Sequence, residues 1–304
     1  MQQKTAAGHI IALCTILVWG TTFISSKILL RDFSPVEILF IRFVIGFVAL
    51  FFFYPHRFRP REWKQELYFM GAGLCGTTLY YLLENIALTY SFASNIGVIV
   101  SIAPFFTAIF AHFFLYGERL RPQFFIGFVA AISGIVLISF NGSTVLKLNP
   151  LGDLLAVLAA AIWGVYSILV RKIADFGYNT FQTTRRIFFY GIVFMIPALF
   201  LMDFSPDWSL FLKPVNLFNI LFLGIIASAA CFVSWNLATK YIGAVKTSVY
   251  IYFTPVVTII TSALVLKEKI TAVALIGTVL TLFGLVLSEI PLPFRKADKQ
   301  EKQP

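Results

Sequence analysis

Residues 13–30 read LCTILVWGTTFISSKILL, and residues 157–174 read VLAAAIWGVYSILVRKIA. Each is an apolar run with a Trp-Gly pair at the same place, Trp19-Gly20 and Trp163-Gly164, and a cation further on, Lys27 and Arg171. The offset between them is 144 residues in a chain of 304, close to half its length. A pattern that returns at half-length is the mark of an internal duplication. Further matches follow in order. At the same offset Arg42 meets Arg186. At an offset of 151, Asn85-Ile86-Ala87 meets Asn236-Leu237-Ala238, Tyr90 meets Tyr241, Ala93 meets Ala244 and Pro104 meets Pro255. One residue less pairs Glu118 with Glu268, Gly127 with Gly277 and Gly134 with Gly284.

The medium in which these copies fold follows from composition. The chain is 59% hydrophobic and 12% charged, its mean hydropathy is +0.86, and 34 residues are Phe. A soluble domain needs far more polar surface. A helix crosses a bilayer with about 20 apolar residues. Such segments are expected near 9–30, 36–55, 67–89, 94–116 and 122–140, then 151–172, 180–202, 216–238, 243–266 and 271–290. Turn signals separate them: Asp32-Phe33-Ser34-Pro35, His56 to Lys64, Asn141-Gly142-Ser143 and Asp203 to Pro214. Backbone amides in lipid must be bonded within their own segment, and these segments are too long and too uniformly apolar for barrel strands. The expected fold is therefore an all-α membrane protein of ten transmembrane helices. It has two inverted five-helix repeats around a central cavity, because an odd number of crossings turns the second copy over. The repeats are expected over residues 1–145 and 146–290, with a short charged tail, disordered and cytoplasmic, over 291–304.

The net charge is +10. With the N-terminus cytoplasmic, the inner side collects Lys4, Arg57, Arg59, Arg61, Lys64, Arg119, Arg121, Arg171, Lys172, Lys240, Lys246 and the tail cations. The outer side collects Lys27, Arg31, Lys147, Lys213, Lys267 and Lys269. That excess places both termini in the cytoplasm of a multi-pass plasma-membrane (bacterial inner-membrane) protein. It also accounts for the basic balance without nucleic acid, for which no basic–aromatic motif is present. Cys14, Cys75 and Cys231 are scattered through apolar runs, with no disulfide framework and no metal spacing. Trp63, Tyr68 and Trp208 stand near span ends, where amphipathic rings anchor. The first apolar run reads as a retained helix, since no small-residue cleavage site follows it.

The order and duplication of these short motifs resemble the drug/metabolite transporter superfamily, specifically its EamA-type ten-helix carriers. The matching pieces are the two Trp-Gly helix ends, Ser34-Pro35 followed by Arg42, and the Asn-x-Ala…Tyr…Ala stretch of spans three and eight. The mid-helix Pro of spans four and nine and Glu118 or Glu268 complete them. The resemblance covers about residues 9–290. It implies a central cavity and export or exchange of a small metabolite by alternating access, with an amino acid, a nucleotide-like or a drug-like solute as cargo. Import or antiport on the same fold, or a channel or non-transporting scaffold, are the alternatives. Lys246 departs from the pattern, which leads one to expect a small or polar residue there.

Candidate site residues follow from what is expensive in lipid. Pro104 and Pro255 each remove a backbone donor in the middle of a span, and matching interruptions in two repeats point to a binding site. A packing kink is the alternative. Ser101 before Pro104, and Tyr250, Tyr252 and Thr254 before Pro255, supply hydroxyls. Arg42 and Glu84 are charges inside spans, a position usually functional. Each lies roughly 8–9 Å deep at 1.5 Å per residue, so they are expected to pair. Glu84 is either half of a structural bridge or the coupling and cation-binding group. Arg186 is expected to lack a neutralising acid and, with Arg185, Arg171 and Lys246, to form a cationic vestibule for an anionic or zwitterionic cargo. Snorkelling to lipid phosphates is the other reading. Trp19, Tyr81, Trp163 and Tyr166 are candidates for stacking on cargo, or simply packing.

No cofactor or metal is expected. The partners are a small-molecule substrate, a co- or counter-transported ion and the bilayer, in a monomer or homodimer. Enzyme chemistry is not expected, since His9, His56 and His112 have no acid at pairing distance in sequence. No nucleotide-binding loop appears, which leaves a gradient or exchange as the energy source.

Overall fold

A computed structural model describes residues 2–90, 93–116, 122–139, 150–202, 204–265 and 271–289. The Gly117-Glu118 and Glu268 motifs, Arg119, Arg121, Asn141-Gly142-Ser143, Lys147, Asp203, Lys267, Lys269 and the tail 291–304 lie outside the described residues. Among the described residues the chain forms ten helical rods. The first half comprises α1 (Gln2–Leu29), α2 (Pro35–Phe53), α3 (63–90), α4 (93–114) and α5 (Pro122–Ser139). The second comprises α6 (Pro150–Asp175), α7 (Thr180–Leu201), α8 (Pro214–Ile242), α9 (Ala244–Val265) and α10 (Ala272–Glu289). These fall within a few residues of the expected spans, except that α1 starts well before residue 9. The rods expose apolar residues outward, as a lipid solvent requires: Phe52, Phe200 and Leu201 are 77%, 82% and 83% exposed.

Capping shows where each half begins its second rod. Ser34 caps α2 with a capping box: its Oγ accepts from the Glu37 amide, and the Glu37 carboxylate accepts from the Ser34 amide at 2.8 Å. Asn179 caps α7, accepting from the Phe181 amide at 2.9 Å. Ser34 and Asn179 are 145 residues apart, not 144. The inserted residue shifts the register of the second rod. Arg42 is therefore equivalent to Ile187, and the sequence match of Arg42 with Arg186 is off by one.

Packing between the halves confirms this register. A Cβ on Gly224 of α8 would lie 3.1 Å from the Arg42 carbonyl of α2, and one on Gly73 of α3 would lie 2.6 Å from the Ile187 carbonyl of α7. The first rods obey the same exchange. Gly20 of α1 packs on Val257 of α9, and Gly164 of α6 packs on Phe106 of α4, the mate of Val257 at offset 151. The fifth rods pack on each other: Gly134 faces Gly277 and Thr281, and Gly284 faces Gly127 and Ala131. Every one of these close approaches joins one half to the other. The glycines that the duplication pairs thus serve packing between halves, where small residues let helix backbones approach.

Four rods depart from regular α-helix, and they do so in mated pairs. In α3, residues Leu74–Leu79 form a π-helical turn; in α8, residues Phe222–Ala230 do the same. In α4, Ser101 and Ile102 break the rod between Ala93–Val100 and Ala103–Phe114. In α9, a 3₁₀ turn at Tyr250–Phe253 separates Ala244–Val249 from Thr254–Val265. The last two interruptions stand just ahead of Pro104 and Pro255, whose rings exclude a normal hydrogen bond to the preceding turn. The π turns have no proline and were not expected.

Gly134→Val would drive a side chain into the Gly277 carbonyl and the Thr281 amide, each 2.5 Å from an added Cβ. Overpacking of this kind costs about 1–3 kcal/mol. The detergent-solubilised variant is expected to melt several degrees below the wild type by differential scanning fluorimetry, while Gly177→Ala, with nothing within 4 Å of an added Cβ, suffers only from its positive φ.

Candidate functional site

The cavity opens where the mated interruptions meet. Its walls come from Trp19 and Thr22 of α1, Tyr80, Tyr81 and Glu84 of α3, Ser101 of α4, Trp163 of α6 and Thr254 of α9, with apolar residues between them. Its void volume is about 440 Å³, counting space that is open to solvent. Six sequence candidates meet here: Trp19, Tyr81, Glu84, Ser101, Trp163 and Thr254. Tyr80 and Thr22 were missed. Tyr80 follows directly on the π turn Leu74–Leu79, which shifts the helical phase that simple spacing would assign.

Repeat mates Trp19 and Trp163 pack edge to face at 5.4 Å between ring centroids, at the centre of the molecule. Such pairs prefer this geometry. Trp19 is fixed by an indole N–H donated to the Ala227 carbonyl at 2.9 Å. The Trp163 indole N–H has no hydrogen-bond partner. Tyr80 packs on Trp163 at 4.7 Å and on Tyr81 at 4.7 Å. The Ser101 hydroxyl donates back to the Gly97 carbonyl at 2.6 Å, filling a bond the helix break leaves open.

Glu84 is 3% exposed and lines the cavity together with Tyr80 and Tyr81. Arg42 is 0% exposed. The expected Arg42–Glu84 ion pair is absent. Arg42 Nε donates to Ser228 Oγ at 3.1 Å, and its guanidinium stands over the rings of Tyr81 and Phe43 at 4.5 and 5.3 Å. Nη1 and Nη2 have no hydrogen-bond partner. Aromatic faces attract a guanidinium, but a buried charge with donors unused is costly.

The remaining candidates lie elsewhere. The Tyr166 hydroxyl donates to Asn236 Oδ1 at 2.8 Å, and Asn236 Nδ2 donates to Thr184 Oγ1 at 3.0 Å, a buried chain off the cavity. Tyr252 is packed among Ala108, Phe124 and Val249, its hydroxyl unpartnered. Tyr250 reaches His9 Nδ1 at 2.8 Å, at the end of the molecule that carries the N-terminus, where Lys246 is exposed.

Arg186 is not the unpaired cation the sequence suggested. It grips Glu66 with Nη2 at 2.5 Å and Nε at 3.0 Å, and the Tyr190 hydroxyl donates to the same carboxylate at 2.8 Å. Glu66 lies in another rod, 120 residues away, so no repeat match could reveal it. Arg185 donates to the Tyr54 carbonyl at 2.6 Å and to the His56 carbonyl. These arginines stitch the 54–62 loop and α3 to α7; they do not form a free cationic vestibule. At the opposite end Asn216 at 2.7 Å and Lys213 at 3.2 Å bond to Asp32 and hold its carboxyl below the usual carboxylate range. Among the described residues no group of three His, Cys, Asp or Glu side chains is arranged to hold a metal.

The sequence matches the EamA-like transporter family over residues 6–140 and again over 150–289. The chain belongs to this family. An uncharacterized transporter of Archaeoglobus fulgidus is 27% identical over 292 residues, covering 95% of this chain and 98% of that protein. A probable amino-acid metabolite efflux pump of Escherichia coli is 27% identical over 300 residues, covering 95% and 97%. A solved crystal structure of a protein at 22% identity superposes with a TM-score of 0.75 over 93% of this chain and 96% of that one, which speaks for the fold alone. This EamA-family chain is thus a membrane-embedded transporter of small solutes.

The Arg186–Glu66 clamp predicts a stability role. In a double-mutant cycle with Arg186→Gln and Glu66→Gln, measured by thermal unfolding in detergent, the two residues are expected to couple by about 1 kcal/mol, as for a partly exposed bidentate pair.

Proposed function

We propose that this protein is a secondary carrier that exports or exchanges a small metabolite by alternating access, with the central cavity as its single solute site. The observation that carries the reading is that the cavity is one-sided. Tyr80, Tyr81, Glu84 and Ser101 line it. Their mates at offset 151 are Cys231, Phe232, Trp235 and Tyr252, and none of the four lines it. Trp235, in the place of Glu84, packs on Trp19 at 5.0 Å. The open space thus lies beside the first set and not beside its mates.

In an inverted repeat, two nearly equivalent arrangements of the halves lie close in energy, and a solute with a different affinity for each shifts their populations. The mated breaks in α4 and α9 are where the rods can bend during that exchange. The sequence carries no nucleotide-binding loop motif, which supports a solute or ion gradient as the energy source. The cation-rich 54–62 loop supports a cytoplasmic position for the N-terminal end in a bacterial plasma membrane. The amino-acid efflux named for the Escherichia coli relative makes an amine-bearing metabolite the leading cargo class.

In a cysteine-free background (Cys14, Cys75 and Cys231 replaced by Ala), Thr22→Cys in the cavity and Arg61→Cys in the 54–62 loop are expected to react with an impermeant maleimide from opposite sides of oriented vesicles. A cargo found by thermal-shift screening is expected to show saturable counterflow in proteoliposomes. Labelling of both positions from one side only, or flux that neither saturates nor shows counterflow, overturns the reading.

A further inference from the structure

We infer that the cavity recognises a small cationic amine, neutralised by Glu84 within aromatic walls, and that Arg42 is the internal cation that replaces the cargo when the site empties. The inference rests on the carrier reading above. Three observations carry it.

The first is the charge of the lining. Glu84 is the one charged side chain among the cavity's lining residues. The cations that could have made the site attract anions are otherwise engaged or out of reach. Arg186 is neutralised by Glu66. Arg42 is wholly buried over the Tyr81 ring and does not line the cavity. The second is the walls. Trp19, Trp163, Tyr80 and Tyr81 line the same cavity as the carboxylate, and the electron-rich faces of such rings attract ammonium groups. A desolvated ammonium between a carboxylate and aromatic faces is stabilised by both, whereas a carboxylate there meets only repulsion.

The third observation is the orphaned guanidinium. Arg42 Nη1 and Nη2 are fully buried, lack partners, and lie near a carboxylate to which they are not bonded. Two opposite charges buried at close quarters are each better off paired. Glu84 therefore has two competing cations, one arriving with the cargo and one built into α2. Rotation of the Glu84 side chain towards Arg42, away from this unpaired arrangement, would satisfy both groups in the conformation that has released its cargo. An arriving amine pulls the carboxylate back into the cavity.

The competition gives an unusual signature. The full chain in lipid nanodiscs is titrated with benzylamine, benzyl alcohol and benzoate, three probes of one shape and different charge, with binding followed by calorimetry and by Trp fluorescence. Benzylamine is expected to bind at least tenfold more tightly than benzyl alcohol, and benzoate not at all. Glu84→Gln is expected to weaken benzylamine more than tenfold, with Glu84→Asp retaining part of the affinity. Trp163→Phe, which loses no hydrogen bond, is expected to weaken it about threefold. Arg42→Gln is expected to tighten it severalfold, because the internal competitor is gone; a merely structural arginine would not do this.

Equal binding of the three probes, a preference for benzoate, or weakening by Arg42→Gln overturns the inference. If Glu84→Gln does not fold, the probe series on the wild type and the Arg42→Gln and Trp163→Phe titrations decide alone. Benzylamine that binds with this pattern but shows no counterflow leaves the site standing and removes the carrier reading. Counterflow of another solute by a wild-type protein that shows no charge preference among the three probes does the reverse.

Discussion

Inside a bilayer a backbone amide has no water to bond, and every structural choice in this molecule follows from that constraint. Regular helix satisfies the requirement locally, which is why a chain that is 59% hydrophobic forms helical rods. Departures from regular helix are then tolerable only where protein or a cavity covers the freed groups. The departures here are the π turns of α3 and α8 and the breaks of α4 and α9, and each has buried residues packed against other rods. Side chains finish the bonding: Ser101 returns to Gly97, and Thr78 of the α3 π turn donates to the Gly191 carbonyl at 2.9 Å. The breaks of α4 and α9 also give residues to the cavity wall, Ser101 and Ile251.

Because lipid is as apolar as the helices, burial alone does not hold the rods together, and close backbone approach must do so. The glycine crossings meet this need, and each one spans the two halves. Neither half has a comparable set of glycine contacts of its own, so the halves are bound to one another more intimately than a pair of independent domains. An interface that crosses the pseudo-two-fold at every level is also one that can re-form after a rocking motion. The Trp19–Trp163 contact joins repeat mates and so lies on the pseudo-two-fold itself.

What could be read beforehand was what the duplication repeats. Trp-Gly pairs, mid-span prolines and small-residue faces each appear twice, so the ten rods, their inversion and the breaks before Pro104 and Pro255 were all legible. The register of α2 against α7 was misread because Arg42 and Arg186 look alike in sequence; only the caps at Ser34 and Asn179 reveal the inserted residue. The π turns carry no breaker residue, and their cause is the fit of one half against the other. Arg186 looked unpaired because its acid, Glu66, sits on a different rod and has no repeat counterpart. Single-chain patterns expose what recurs or alternates, whereas pairing between distant rods is a property of the assembled molecule.

Where the halves differ is as informative as where they agree. Arg42 faces Ile187 across the duplication, and Glu84 faces Trp235. Both charges belong to the first half, on neighbouring rods, and their mates are apolar. Two symmetric charge sets would double the desolvation cost, which is large for ions in a low-dielectric interior. Retaining one set keeps that cost to a single place and makes the chemistry of the cavity asymmetric while its scaffold stays symmetric. Such a site cannot hand a solute from one charged station to another. In the proposed carrier it would stay fixed near the axis while the walls on either side of it, Tyr80 and Tyr81 on one flank and Phe232 and Trp235 on the other, take turns in closing.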